Sequence, residues 1–326
     1  MNVSTWPVAA ADVLAARARL QGRVLRSPLR RSDWLSSIAG TEVFLKLESL
    51  QPTGSFKIRG AFNAALRHVE REGSRGMVTA SAGNHGSGLA YAAQKLGLAL
   101  TVYAPHDAPQ AKLQAILRYG AQLIQTESYD DAERQARASA TPDGGKYISP
   151  YADEDVIAGA GTVGLEIFED VPDSATIVVP IGGGGLTSGI GIVARAVRPA
   201  ARIIGVEAAA STAFSSALAA GRIVPITPGK TLADGLAGNV DPDTPTFAIV
   251  RDTVAGVVTV SEAELAAAMR GLALHEHLIA EGAGAAAVAA IAHGKIAQPA
   301  GPVVAIVSGA NVDVDRLLQV LSGGDT

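Results

Sequence analysis

The sequence predicts an α/β protein built on parallel sheets, and three observations carry that reading. Short runs of β-branched and aliphatic residues at 77–80, 100–104, 122–125, 176–180, 203–207 and 303–308 have strand character. Longer segments of helical period separate them, an alternation that winds a chain into βα units. Of the 326 residues, 48% are hydrophobic and 18% charged, enough apolar side chain for a large core and too little charge for disorder. That length accommodates one large α/β domain or two intimately joined ones.

Taken in order, the chain first shows a turn at 52–55 that runs into a helical pattern from about Phe56. The strand at 77–80 leads through a glycine-containing loop into a helical run at 89–96. Pro109 opens a helix over 110–119, and Gly120 ends it before the strand around Leu123. After the strand at 176–180, a run of glycines leads into another helix. Ser261 and Glu264 have capping-box spacing, which predicts a helix from there through residue 279. His275, His277 and His293 are read as helix-surface residues rather than metal ligands. No fixed-period repeat or biased linker marks a sequential domain boundary.

Composition narrows the chemistry. The net charge is −4, from 27 basic and 31 acidic residues, and the basic residues are scattered; nucleic acid and anionic membrane are not expected partners. With no cysteine, thiolate nucleophiles, disulfides and cysteine-ligated metals are excluded. No run of about 18 apolar residues suggests a membrane span. The first residues lack the pattern of a signal peptide, so a cytoplasmic location is expected.

Four loops carry chemistry. Lys57, in Pro52-Thr53-Gly54-Ser55-Phe56-Lys57, falls in a first helical turn, where the macrodipole disfavours a cation and partial burial lowers an amine's pKa. A depressed lysine is what Schiff-base chemistry requires. Ser81-Ala82-Gly83-Asn84-His85-Gly86 follows a strand and opens a helix, a setting whose amides suit a carboxylate or phosphate; a plain βα turn with a capping Asn explains it equally well. Gly182-Gly183-Gly184-Gly185, followed by Leu186, strips side chains from a strand-to-helix turn and leaves a cradle of amide donors for a phosphate. It lacks the Gly-Lys-Ser/Thr ending of a triphosphate loop and does not fit the dinucleotide fingerprint, so a smaller phosphorylated cofactor is expected. Ser308, in Ser308-Gly309-Ala310-Asn311, stands at a strand's carboxyl end, where ligands of open α/β sheets bind, or else caps a helix.

PTGSFKIRGA, SAGNHG, DEDVIAGAGTVGLEI, IGGGGL and SGAN, in that order along nearly the whole chain, resemble the fold type II pyridoxal-phosphate serine/threonine ammonia-lyase (dehydratase) and serine racemase family. The resemblance implies a tryptophan synthase β-like fold: a large parallel-sheet domain from 1–75 and 151–326, and a smaller one, 76–150, inserted in it and closing over substrate. It implies pyridoxal 5'-phosphate held covalently by Lys57, with Phe56 beside it and Asn84 bonded to the ring hydroxyl oxygen. Gly182, Gly183, Gly184, Gly185 and Leu186 would bind the phosphate, and Ser308 would face the pyridine nitrogen. Ser81, Ala82, Gly83, Asn84 and His85 would grip the substrate carboxylate. A homodimer is implied as well.

The implied reaction is β-elimination from a β-hydroxy amino acid such as L-threonine or L-serine, giving a 2-oxo acid and ammonia. Two departures refine it. Ala82 stands where racemases of the family carry the serine that serves as second acid/base, and a methyl group transfers no proton. The family's divalent-cation site uses a carboxylate at Glu207 and an aspartate six residues on, where this chain has Ala213; no metal is expected. Isoleucine feedback through an added regulatory domain is not expected either, since the chain ends at Thr326. The alternatives are a serine racemase, a β-replacement enzyme or a hydroxyaspartate/phenylserine dehydratase of the same family, and, in a different class, a non-catalytic phosphate-ligand binder. Intact Lys57, Asn84 and Ser308 argue against the last.

Overall fold

The computed structural model describes residues 6–141, 145–297 and 301–323. Among them the strands are β1 Leu29–Arg31, β2 Val43–Leu47, β3 Met77–Ala80, β4 Leu100–Pro105, β5 Gln122–Thr126, β6 Lys146–Tyr147, β7 Thr176–Pro180, β8 Arg202–Ala208, β9 Val254–Val260 and β10 Val303–Val307. They form a six-stranded sheet in the order β1-β2-β10-β7-β8-β9 and a four-stranded sheet in the order β5-β4-β3-β6. Only β1 pairs antiparallel, with β2; the other pairings are parallel. The predicted α/β class and all six expected strands are therefore present, and β1, β2, β6 and β9 are additional.

Strand order decides where the chemistry gathers. The C-terminal strand β10 lies between β2 and β7, in register from Val303 opposite Val43 to Val307 opposite Leu47. All five of its residues are buried, as expected of a parallel strand covered on both faces. The segments leaving the carboxyl ends of β2, β10 and β7 carry Lys57, Ser308 and the four glycines, so the sheet brings three separate loops to one edge.

The four-stranded sheet lies within 77–147, inside the segment 76–150. Its apolar packing reaches beyond those bounds, taking Ile58, Ala61, Phe62, Ala64 and Ala65 from the Lys57–Glu72 helix and Val156 from the Glu154–Asp170 helix. The lysine helix is thus core to the second sheet while its first residue serves the edge of the first.

The motif 153–167 (DEDVIAGAGTVGLEI) has a structural explanation. Asp153 caps its helix, Oδ1 accepting from the amides of Asp155 (2.9 Å) and Val156 (3.1 Å). The glycines then allow other helices to approach closely. A Cβ on Gly159 would lie 2.5 Å from the Arg59 carbonyl oxygen, and one on Gly189 would lie 2.5 Å from the Gly161 nitrogen. One helix thereby docks both the Lys57 helix and the Gly185–Val197 helix that follows the glycine run.

At that junction sits a buried charge cluster. The Arg59 guanidinium, 1% exposed, donates to Glu48 (2.8 Å to each oxygen), to Glu166 (2.7 and 2.8 Å) and to the Thr162 hydroxyl (3.1 Å). Lys46 Nζ donates to Glu166 and to the Ser27 carbonyl, both at 2.6 Å. Two cations thus meet two anions. Burial raises the Glu48 pKa, but the Arg59 charge, the hydrogen bonds from Arg59 and Ser27 and the Lys46 charge together outweigh it and hold the carboxyl below its ordinary range.

One sequence expectation needs correction. The Ser261/Glu264 capping box forms as expected, but its helix ends at His275 rather than continuing through residue 279. His277 has φ 56°, which a right-handed helix cannot accommodate, and the Leu278 amide closes back on the Leu272 carbonyl at 3.0 Å. Hence His275 and not His277 lies on that helix; His293 caps the end of the Gly282–Ala292 helix. Among the described residues, no helix is long and apolar enough to cross a membrane.

Arg59→Ala should destabilise the fold by about 3–5 kcal/mol, because it leaves the buried Glu48 without its ion-pair partner and Glu166 with Lys46 alone. Equilibrium urea unfolding measures this, and a loss below about 1 kcal/mol would contradict the role given to the cluster. Since Glu48 is held below its ordinary value, its stabilising contribution should be complete above about pH 4.5 and decline as pH falls through the lower folded-state value.

Candidate active site

The loops at the sheet edge are joined by backbone hydrogen bonds. Phe56 N donates to the Ser308 carbonyl (3.0 Å), Ala310 N donates to the Gly54 carbonyl (2.8 Å), and Ser55 forms an antiparallel bridge with Gly309. Lys57 is the first residue of its helix. Its Nζ donates to the Pro150 carbonyl at 2.8 Å and lies 5.4 Å from the centre of the Phe56 ring.

Asn84 begins the Asn84–Leu96 helix after β3. Ser81 Oγ tightens that turn, accepting from the amides of Gly83 (3.3 Å) and Gly86 (3.1 Å). Asn84 Nδ2 donates to Glu281 Oε1 at 2.6 Å, and its Oδ1 accepts from Asn311 Nδ2 at 2.7 Å. Asn84 therefore joins the asparagine loop of the second sheet to the edge of the first. Ala82 and Gly83 are half-buried in the same turn, and His85 is buried.

The glycine run lies between β7 and the Gly185–Val197 helix. Gly184 has φ 83°, a left-handed conformation that favours glycine. A Cβ on Gly183 would stand 2.3 Å from the Tyr151 ring, and the Tyr151 hydroxyl accepts from the Asp241 amide at 3.0 Å. No side chain caps the helix, so the amides of its first turn, Leu186 included, remain available to an anion. Ser308 is buried, and among the described residues its hydroxyl reaches only the Ala283 carbonyl, at 3.4 Å.

Burial lowers the Lys57 pKa to about 8, partly offset by the negative charge of Glu281. The depressed value read from the sequence is thus present, with burial rather than the macrodipole as its main cause. Burial also lowers His85 to about 3, helped by the Lys57 charge, so this imidazole is neutral at pH 7. Glu281 is pushed up to about 7 by burial and by nearby Asp234, against the opposing effects of Lys112, Asn84 and Lys57.

An amine of lowered pKa, an uncapped helix N-terminus, a buried serine hydroxyl and an asparagine amide make a donor set that fits pyridoxal phosphate. Glu207 has a different task. Its carboxylate accepts from Phe214 N (2.6 Å), Ser215 N (3.0 Å) and Ser215 Oγ (2.6 Å), at the start of the Ala213–Ala220 helix. Among the described residues no group of three or more His, Asp or Glu side chains could hold a metal ion. Sequence reasoning missed Glu281, although it is an isolated charge within the Ala/Gly-rich stretch 280–287. It also missed Pro150 and Tyr151, which bear no local signal.

At pH 7 a lysine with a pKa near 8 has an about 300-fold larger neutral fraction than one at 10.5. Limiting acetylation of the ligand-free protein, followed by peptide mass spectrometry, should modify Lys57 ahead of the exposed lysines once accessibility is normalised, with a midpoint near pH 8. A midpoint near 10.5 would contradict the burial argument.

The family of pyridoxal-phosphate dependent enzymes matches residues 20–309. The chain is 41% identical over 307 residues to the L-threonine ammonia-lyase of Geobacter sulfurreducens, spanning 94% of this chain and 76% of that one. It is 38% identical to the catabolic L-threonine dehydratase TdcB of Escherichia coli K12, spanning 96% of both. Among solved structures, maize serine racemase superposes with a TM-score of 0.91 at 32% identity, covering 97% of each chain. With the family matched along most of its length and a lysine, a glycine cradle, an asparagine and a serine gathered at one sheet edge, the chain belongs to the pyridoxal-phosphate dependent enzymes.

Proposed function

We propose that the protein is an ammonia-lyase that converts L-threonine or L-serine by β-elimination to a 2-oxo acid and ammonia. The observation that carries this reading is Lys57, an amine of lowered pKa held where β2, β10 and β7 deliver their loops. Relatives named threonine ammonia-lyase and threonine dehydratase, similar along nearly the whole chain, support it.

Pyridoxal phosphate, when bound, supplies the electron sink for the pair left at the α-carbon. In this reading Lys57 holds the cofactor through Nζ, with Phe56 packed beside it. When not bonded to the cofactor, Nζ would take the substrate's α-proton, a task suited to a pKa near neutrality. Nζ would pass that proton to the departing β-hydroxyl, which leaves as water, and hydrolysis of the resulting enamine through its imine yields the 2-oxo acid and ammonia. Gly182, Gly183, Gly184, Gly185 and Leu186 hold the phosphate. Ser308 donates to the pyridine nitrogen, Asn84 bonds the ring hydroxyl oxygen, and Ser81 to His85 bind the substrate carboxylate. The segment 76–150 closes over the site and excludes water. Ion pairs of Lys112 with Asp234 and of Arg137 with Asp241, which span the two sheets' loops, support closure.

The likeness to a serine racemase favours a second reading, in which the α-proton is returned to the opposite face. Ala82 opposes it, since its methyl group can neither donate nor accept that proton. A substrate panel tests both. L-Threonine should give 2-oxobutanoate, and L-serine should give pyruvate, each with equimolar ammonia and little D-serine. Ala82→Ser should raise racemisation. Substantial D-serine from the unmodified protein, by chiral chromatography, would overturn the lyase reading.

A further inference from the structure

Glu281 is 5% exposed and belongs to none of the loops assigned above, yet it touches two of them. Its backbone amide donates to the Gly309 carbonyl at 3.1 Å. Its carboxylate lies so close beneath that loop that a Cβ on Gly309 would stand 2.1 Å from Oε1. The same Oε1 accepts from Asn84 Nδ2.

The chain of hydrogen bonds has a fixed direction. The Thr53 carbonyl can only accept, so Asn311 must turn its nitrogen toward it, at 2.8 Å. The same nitrogen's second hydrogen goes to Asn84 Oδ1. Asn84 must therefore present its nitrogen to Glu281, whose oxygen accepts. With Glu281 ionised, above about pH 7, both ends of the relay are acceptors, and a flipped Asn84 carboxamide would set oxygen against carboxylate on one side and N–H against N–H on the other.

We propose that Glu281 is a positioning residue for the cofactor, fixing the Asn84 carboxamide so that one N–H is held by the carboxylate and the other is reserved for the cofactor's ring hydroxyl oxygen. The inference deepens the function proposed above and rests on it. Glu281 acts through Asn84, so its effect should vanish when Asn84 is absent. A general structural contribution, from its place at the start of the Gly282–Ala292 helix, would persist.

The test is a double-mutant cycle read as pyridoxal-phosphate dissociation constants, by absorbance titration of the apoprotein, with thermal unfolding of each apoprotein alongside. Glu281→Ala should weaken cofactor binding about tenfold, the size expected for one charge-assisted hydrogen bond. Glu281→Gln, which keeps an acceptor for Asn84 and serves if the alanine variant does not fold, should stay within about threefold of the unmodified protein. In an Asn84→Ala background, Glu281→Ala and Glu281→Gln should bind the cofactor alike. Equal effects of Glu281→Ala with and without Asn84, or an unchanged dissociation constant, would overturn the assignment. Should the unmodified protein bind no pyridoxal phosphate, the proposed function falls together with this inference; an additive cycle removes the Glu281 role alone.

Discussion

The buried meeting of Arg59 with Glu48 and Glu166 is the interaction on which the arrangement depends. Arg59 lies two residues after Lys57, so whatever fixes its guanidinium also fixes the rotation of the helix that begins with the lysine. Glu48 follows β2 directly, and Glu166 lies on the helix that docks the glycine-run helix through Gly161 and Gly189. One guanidinium therefore ties together the strand, the lysine helix and the central helix. Removing these charges from water is costly, and the cost is offset only when every charge finds a partner. The glycines at 60 and 159 make that possible by letting the helix backbones come close enough.

The site adds a second electrostatic constraint. Lys57 is lowered and Glu281 raised by the same cause, burial at the cleft, and each moderates the other. His85 stays neutral beside them, so it adds no charge to the site, and the lowered Lys57 value rests on burial.

Much of this was legible in the residues because chemistry-bearing turns use types that a plain loop avoids: four consecutive glycines, a lysine at a helix start, an asparagine between glycine and histidine. The less legible parts have physical reasons. β2 contains Lys46, which reads as a solvent-facing residue until its Glu166 partner, 120 residues away, is known. β1 and β6 have only three and two residues, and β9 is interrupted by Gly256. The helix after Ser261 ends early because His277 turns left-handed, which an isolated periodic pattern does not reveal. The motif at 153–167 was recognisable by its likeness to a family, whereas its physical purpose, close helix packing, appears only when Gly159 meets Arg59 and Gly161 meets Gly189.

In the proposed function one amine, Lys57, at the junction of three strand ends, holds the cofactor. Borohydride reduction of the protein loaded with pyridoxal phosphate, followed by peptide mapping, addresses it most directly. A single stable pyridoxyl adduct on Lys57 is expected. An adduct on Lys46 or Lys230 instead, or none on Lys57 in protein saturated with cofactor, would contradict it.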